Sequence, residues 1–211
     1  MPRSPRLVIP GLAHHITQRG NRGLDVFTSR SEMGHYLECL ARYGPARGMK
    51  VIAYCLMPNH VHVVAIPEQP LSLALAFRDA HTAYSSYFNL KHGETGHLWQ
   101  NRFFSCPLDE CHLHAAVRYV EMNPVRARMV SEPGSYEWSS ARAHLGIAPA
   151  HEVLHDPPVG MPPRDEWRGF LEGYVWEDEQ VVRIATRSGK HSRAVAEEWR
   201  NVNSQGRKRR R

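Results

Sequence analysis

The sequence predicts an α+β fold with one antiparallel sheet, and three observations lead to this prediction. Short stretches rich in β-branched residues alternate with longer stretches whose apolar residues recur at helical intervals. Glycine, proline and asparagine lie between the stretches, where turns are expected. Two of the strand-like stretches are separated only by the turn 57–59, which is typical of a hairpin and therefore of antiparallel pairing.

The elements follow one another in a recognisable order. We predict strands at 13–19, 50–56, 60–66 and 97–107, a helix from the cap Ser31 to about Arg47, a helix at 71–91, a helix from the cap Asp109 to about Met122, and short helical segments at 125–130 and 139–145. The order is β-α-β-β-α-β with a trailing helix. This is the split β-α-β or ferredoxin-like arrangement, in which an antiparallel sheet carries helices on one face.

The domain organisation follows from length and from proline placement. A chain of 211 residues suits one domain of moderate size with an appendage. Two Pro-Pro pairs interrupt the pattern after about residue 150. We therefore assign residues 1–150 to one domain and residues 151–211 to a C-terminal extension, with helices expected near 164–176 and 192–199. The last residues are expected to be disordered on their own.

The charge of this extension changes sign along its length. The chain carries a net charge of +6, yet residues 152–182 hold 2 Lys/Arg against 8 Asp/Glu. Residues 183–211 hold 10 against 2, ending in five consecutive basic residues. A basic tail of this kind is common in proteins that contact a polyanion. A solubilising tail without a target is the alternative interpretation.

The composition argues against membrane and secreted classes. No apolar run approaches the roughly 18 residues of a membrane span, and the first residues lack the apolar stretch of a signal peptide. The four cysteines are scattered without a Cys-x-x-Cys pair, so reduced thiols are expected rather than disulfides or a zinc site. These features predict a cytoplasmic protein.

The run Met-Pro-Asn-His-Val-His-Val-Val at 57–64 is the most informative motif. His60 and His62 are two residues apart, and side chains at i and i+2 of a strand leave on the same face. The intervening and following valines favour a strand. Two neutral imidazoles side by side can hold a divalent metal and leave positions open for substrate. Alternation of polar residues on a solvated face is the plainer interpretation of this pattern alone.

A second candidate pair lies on the helix that follows the last strand. Tyr119 and Asn123 are four residues apart, so a continuous helix would place them on one face. Tyr119 is a candidate nucleophile, and Asn123 offers a neutral oxygen as a third ligand for Mg²⁺ or Mn²⁺. Pro124 biases Asn123 away from helical geometry, so the last turn is expected to be distorted.

Four blocks of sequence occur in one order and carry a family resemblance. They are Met57–Val64, Leu98–Phe103, Arg118–Ala127 and Tyr136–Ala143. Together they closely resemble the REP-associated tyrosine transposases, members of the HUH single-tyrosine superfamily, over about residues 6–145. The resemblance implies that His60 and His62 are metal ligands for Mg²⁺ or Mn²⁺ and that Tyr119 is the nucleophile. Related enzymes often place Gln where this chain has Asn123, which has a shorter side chain.

The resemblance also implies a reaction and a substrate. The expected activity is metal-dependent cleavage and strand transfer of single-stranded DNA through a covalent 5′-phosphotyrosine. The expected substrate is a short imperfect hairpin, the repetitive extragenic palindrome (REP), with a tetranucleotide on its 5′ side. Basic residues suited to contact this DNA are Arg3, Arg6, Arg19, Arg22, Arg102, Arg126, Lys208 and Arg209. Association with the nucleoid follows from such a substrate.

Other functions remain open at this level. A self-mobilising insertion-sequence transposase would share the catalytic residues, and so would a replication-initiator or relaxase-type nicking enzyme. A non-catalytic protein that binds palindromic DNA would need the basic charge but neither Tyr119 nor the histidine pair. The sequence does not decide between a monomer and a homodimer, nor whether the basic tail clamps DNA or restrains the enzyme.

Overall fold

The four strands form one antiparallel sheet, and the histidine pair lies at the start of the second strand of its hairpin. The structure is a computed structural model that describes residues 7–174, 180 and 182. The strands are β1 (His14–Arg19), β2 (Met49–Met57), β3 (His60–Pro67) and β4 (Phe104–Pro107), in the spatial order β2-β3-β1-β4. The predicted hairpin joins β2 to β3, so β3 lies inside the sheet with a neighbour on each side.

The helices within the described residues are α1 (Arg30–Ala46), α2 (Ser72–His92), α3 (Glu110–Glu121), α4 (Asn123–Arg126), α5 (Ala141–His144) and α6 (Trp167–Glu172). Helices α1 and α2 cover one face of the sheet. Their apolar residues form a core with the alternate strand residues Ile16, Val61 and Val63, all fully buried. The ferredoxin-like α+β arrangement predicted from the element order is therefore confirmed.

Helix α3 packs against the opposite face and gives the sheet a second buried side. Val117 and Val120 of α3 lie in a core with Ala53 and Cys55 of β2 and Val64 of β3. Both faces of β2 and β3 are buried, which explains why these two strands are nearly continuous apolar runs. The side chain of Asp109 accepts a hydrogen bond from the backbone N–H of His112, as predicted for the cap of this helix.

Two predicted boundaries are wrong for local reasons. The fourth strand was expected from residue 97, but β4 begins at Phe104. Asn101 has a left-handed backbone with φ 58°, which is incompatible with extended geometry, so the strand can begin only after this residue. Helix α1 begins two residues earlier than expected, and Ser29 rather than Ser31 occupies the position before it.

The segment after residue 150 folds back onto both cores. The backbone N–H of His155 donates to the carbonyl of Val51 at 2.8 Å, and Trp167 of α6 is 1% exposed inside the α3 core. The expected helix near 164–176 is observed as a 3-10 turn at Arg164–Glu166 followed by α6. The division at residue 150 stays a prediction. The expected helix at 192–199 and the basic end of the tail lie outside the described residues.

The outer edge of β2 is covered by later parts of the same chain. The N–H of Leu56 donates to the carbonyl of Trp138 at 2.9 Å, and Leu154 forms a bridge beside Val51. Tyr136 reinforces this contact, because its hydroxyl donates to the carbonyl of Leu56 at 2.6 Å. The block at 136–143 therefore holds the region after α4 against the sheet.

Two further expectations concern cysteines and membrane spans. Cys39, Cys55 and Cys106 are buried, and Cys111 is exposed. Within the described part of the chain, no helix combines the length and apolar character that crossing a bilayer requires.

Candidate active site

The two histidines of the motif lie side by side on the α3 face of the sheet. Alternation along β3 sends Val61 and Val63 into the α1–α2 core and sends His60 and His62 the other way. The two imidazole centroids are 4.9 Å apart, with their planes at 80°. The predicted pairing of these side chains is therefore observed.

Tyr119 reaches the same place from α3. Its ring centroid lies 5.3 Å from that of His62, and the two planes meet at 86°. The side chain is 8% exposed, so the ring is held by its neighbours rather than free in solvent. The helix places it there because Val117 and Val120 are buried on the sheet and fix the rotation of α3.

Asn123 lies next to Tyr119 despite the break in the helix. The N–H of Met122 still donates to the carbonyl of Arg118 at 2.8 Å, so the last turn of α3 is complete before α4 begins at Asn123. The Asn123 side chain is buried, and its amide donates to the carbonyl of Tyr119 at 3.4 Å. The distortion expected from Pro124 does not separate the two residues.

These four side chains line one cleft of about 450 Å³. The remaining lining residues are His15, Thr17, Arg19, Met57, Arg126 and Ala127. Among the residues that the structure describes, no group of three or more His, Cys, Asp or Glu side chains is arranged to hold a metal ion. A metal in this cleft would therefore depend on the histidine pair together with a neutral oxygen such as that of Asn123.

Burial keeps the cleft imidazoles neutral. Burial lowers the pKa of His15 to about 4. Burial, assisted by the charge of Arg19, lowers the pKa of His60 to about 4. The pKa of His62 is also lowered well below its usual range, chiefly by burial and then by the two neighbouring histidines. Neutral imidazole is the form that carries a lone pair for a metal ion, so the cleft suits a cation near pH 7.

Two of the predicted DNA-contacting arginines border this cleft. Arg19 is the register partner of His60, and the guanidinium carbon of Arg126 lies 4.7 Å from the centroid of the Tyr119 ring. Arg22 is exposed on the turn that follows β1 and has a left-handed backbone, with φ 55°. Arg102 lies elsewhere, at a groove of about 620 Å³ between α2 and the loop before β4. The other predicted contacts, Arg3, Arg6, Lys208 and Arg209, lie outside the described residues.

Two residues that the sequence analysis missed hold the ring Nδ1 atoms of the histidine pair. Asn59 Oδ1 lies 2.6 Å from His60 Nδ1, and His15 Nε2 lies 3.1 Å from His62 Nδ1. His15 is 1% exposed. A signal for it was present, because alternation along β1 puts His15 and Arg19 on one face of the strand.

A third missed residue anchors the tyrosine helix from behind. Glu121 is fully buried and contacts three groups from later segments. Its carboxylate is 2.7 Å from His144 Nδ1 and accepts hydrogen bonds from the Ser140 hydroxyl and, at 2.8 Å, from the Trp167 indole N–H. The last residue of α3 is therefore tied to α5 and α6.

Comparisons with known proteins agree with this geometry. Residues 10–123, more than half of the 211, match the family model described as "Transposase IS200 like". The fold is similar to that of a REP-associated tyrosine transposase bound to a REP hairpin, with a TM-score of 0.57 and 19% identity over 74% of this chain and 93% of that one. A structure from Deinococcus radiodurans R1, described as a "putative transposase", has a TM-score of 0.40 and 19% identity over 58% of this chain and 97% of the other. Comparison with curated proteins finds no match.

The family match includes the β1–β3 sheet, the His-Val-His run and the whole of α3. The chain therefore belongs to the IS200-like transposase family and is an HUH-type enzyme that nicks and joins DNA.

Proposed function

We propose that this transposase is of the REP-associated type and cleaves single-stranded DNA beside an imperfect hairpin, with Tyr119 as the nucleophile. One observation carries the proposal. His60, His62, Tyr119 and Asn123 line a single cleft of one chain, although they come from three elements, β3, α3 and α4. The fold similarity to a transposase that binds a REP hairpin supports the choice of DNA.

The residues of the cleft fit a hard divalent cation with open positions. We assign His60, His62 and Asn123 as the ligands of Mg²⁺ or Mn²⁺, because imidazole and amide oxygen both suit such ions when few other donors are present. A cation bound there would neutralise charge on the scissile phosphate and polarise its P–O bonds. The neutral state of the imidazoles supports this assignment.

The proposed step joins Tyr119 to the DNA and releases a hydroxyl. The phenolic oxygen forms a bond to phosphorus, the bond from phosphorus to the 3′ oxygen breaks, and the proton lost by the phenol is balanced by one gained at that 3′ oxygen. The product is a 5′-phosphotyrosine and a free 3′-hydroxyl. Since one phosphoester replaces another, the reverse step can rejoin strands.

Tyr119 serves the histidines of its own chain in this proposal, because its ring already lies 5.3 Å from His62. Arg19 and Arg126 border the cleft, where a phosphate backbone would enter. Arg22 extends the basic surface along the turn after β1, and the basic end of the tail is proposed to add contacts to the same strand.

The test uses a REP-like hairpin oligonucleotide with a 5′ single-stranded extension. Tyr119→Phe is expected to abolish cleavage and the covalent adduct while hairpin affinity stays within about threefold. Tyr87→Phe, a half-buried tyrosine on the opposite side of the sheet, is the matched control and should cleave normally. An adduct that persists in Tyr119→Phe would refute the assignment of the nucleophile.

Two further measurements test whether cleavage needs a metal and whether Tyr119 acts with the histidines of its own chain. EDTA and His60→Ala should each stop cleavage, and full activity in chelator would exclude a metal mechanism. A mixture of His60→Ala and Tyr119→Phe proteins should remain inactive, because each cleft lacks one component. Recovery of activity in the mixture would show that the tyrosine acts on a partner's histidines.

A further inference from the structure

Each histidine of the pair presents only one ring nitrogen to a ligand. The Nδ1 atom of His60 is engaged by Asn59, and the Nδ1 atom of His62 is engaged by His15. Both contacts come from side chains outside the pair, one from the turn before β3 and one from the neighbouring strand β1. On each ring the Nε2 atom is the nitrogen that can bind a ligand, and both rings line the same cleft.

Asn59 determines which nitrogen of His60 carries the proton. Its side-chain amide donates to the carbonyl of Gly23 at 3.3 Å, so its carbonyl oxygen is the atom that faces His60. A carbonyl oxygen can only accept, so His60 Nδ1 must be the donor in the 2.6 Å contact. His60 Nε2 then carries the lone pair. The backbone of Asn59 is itself fixed, because its carbonyl accepts from the N–H of Gly20 at 2.8 Å.

His15 plays the corresponding part for His62. Its ring is nearly parallel to that of His62, at 6°, and its Nε2 lies 3.1 Å from His62 Nδ1. The contact has a fixed geometry, because His15 is 1% exposed and the next residue on its face, Thr17, is the register partner of His62. Rotation of the His62 ring would break this bond inside a buried site.

We infer that Asn59 and His15 are positioning residues that hold His60 and His62 as Nε2 ligands of a divalent cation. The inference rests on the proposed function, since it assumes that the pair binds metal. Side chains that hydrogen bond the second nitrogen of a metal-bound histidine fix its tautomer and orientation, and their removal weakens metal binding about 10–100-fold. Neither residue is expected to touch the DNA phosphate.

The experiment measures Mn²⁺ affinity of the full chain by calorimetry without DNA, so that cleavage does not enter. Asn59→Ala and His15→Phe are expected to weaken Mn²⁺ binding about 10–100-fold. Asn59→Asp retains an oxygen acceptor and should bind within about threefold of wild type. His14→Phe is the matched control for His15→Phe, because His14 is the adjacent buried histidine and its ring contacts backbone groups of Ile9 and Leu12.

A second readout does not require any variant to fold. Two-bond ¹H–¹⁵N spectra of the wild-type chain report the tautomer of each imidazole, and His60 and His62 should both carry their proton on Nδ1. A proton on Nε2 of either His60 or His62 would overturn the inference, and so would unchanged Mn²⁺ affinity in both Asn59→Ala and His15→Phe. If wild type itself binds no Mn²⁺, the proposed function fails together with this inference. If wild type binds and the two variants bind equally well, only this inference fails.

Discussion

Trp167→Phe tests how firmly the extension holds the tyrosine helix. The indole N–H of Trp167 donates at 2.8 Å to Glu121, a fully buried carboxylate between Tyr119 and Asn123 in the sequence. Phenylalanine retains most of the ring and removes this donor. The carboxylate then keeps His144 and Ser140 as partners but loses the one contact that comes from α6.

The expected destabilisation is the sum of two contributions. A hydrogen bond to a charged group contributes about 1.5–3 kcal/mol, and the smaller ring gives up about 1 kcal/mol of apolar burial. The free energy of unfolding should therefore fall by about 2.5–4 kcal/mol, which lowers Tm by about 5–16 °C in a domain of this size. Tyr136→Phe is the comparison, because it removes a neutral hydrogen bond to Leu56 in the same core. It should cost about 1 kcal/mol and about 2–4 °C.

The assay is thermal unfolding followed by circular dichroism, with Trp167→Phe and Tyr136→Phe measured beside wild type at one protein concentration. The larger shift must belong to Trp167→Phe. Equal melting temperatures for Trp167→Phe and wild type would show that α6 does not support α3. A shift no greater than that of Tyr136→Phe would show that the partner of the indole is not a charged carboxylate.

Three other predictions follow from separate parts of the molecule. Burial raises the pKa of Glu32, but hydrogen bonds led by that from Lys91 outweigh it and lower the pKa to about 2, so the stabilisation is present above the unfolded pKa and is lost as pH falls toward 2. Acid titration of Tm should show this loss in wild type, and a Glu32→Gln variant with the same acid slope would contradict it. Gly20→Ala should strongly destabilise the fold, because a Cβ at this position would lie 2.1 Å from the carbonyl oxygen of Leu24. A variant that unfolds at the same urea concentration as wild type would contradict this close contact. Arg126→Ala should reduce the slope of log Kd for single-stranded DNA against log salt by about 0.7, and an unchanged slope would remove this residue from the phosphate contacts.

The parts of the site that sequence could predict depend on short periods. His60 and His62 required only the two-residue alternation of a strand, and Tyr119 and Asn123 required only the four-residue spacing of a helix. The hairpin turn then placed β3 beside β2. Each of these relations involves residues close together in the sequence, so it does not depend on how distant segments pack.

The parts that could not be predicted depend on contacts between distant segments. The face of the sheet that α3 would cover is not encoded in its own periodicity, although it decides whether Tyr119 meets the histidines. The bond from Trp167 to Glu121 joins residues 46 positions apart, and neither position carries a local signal for it. Strand β4 begins later than predicted because Asn101 has a left-handed backbone, a conformation that asparagine tolerates but does not require.

The covered edge of β2 has a consequence for assembly. An exposed edge strand invites a second molecule to continue the sheet, and proteins avoid this by blocking the edge. Here Trp138 and Leu154 occupy the positions that an incoming strand would need beside Leu56 and Val51. Two copies cannot join their sheets along β2 unless each chain first releases the segments that contain Trp138 and Leu154. A dimer with one continuous sheet, in which each tyrosine serves the partner's histidines, would therefore have to pair through the short strand β4.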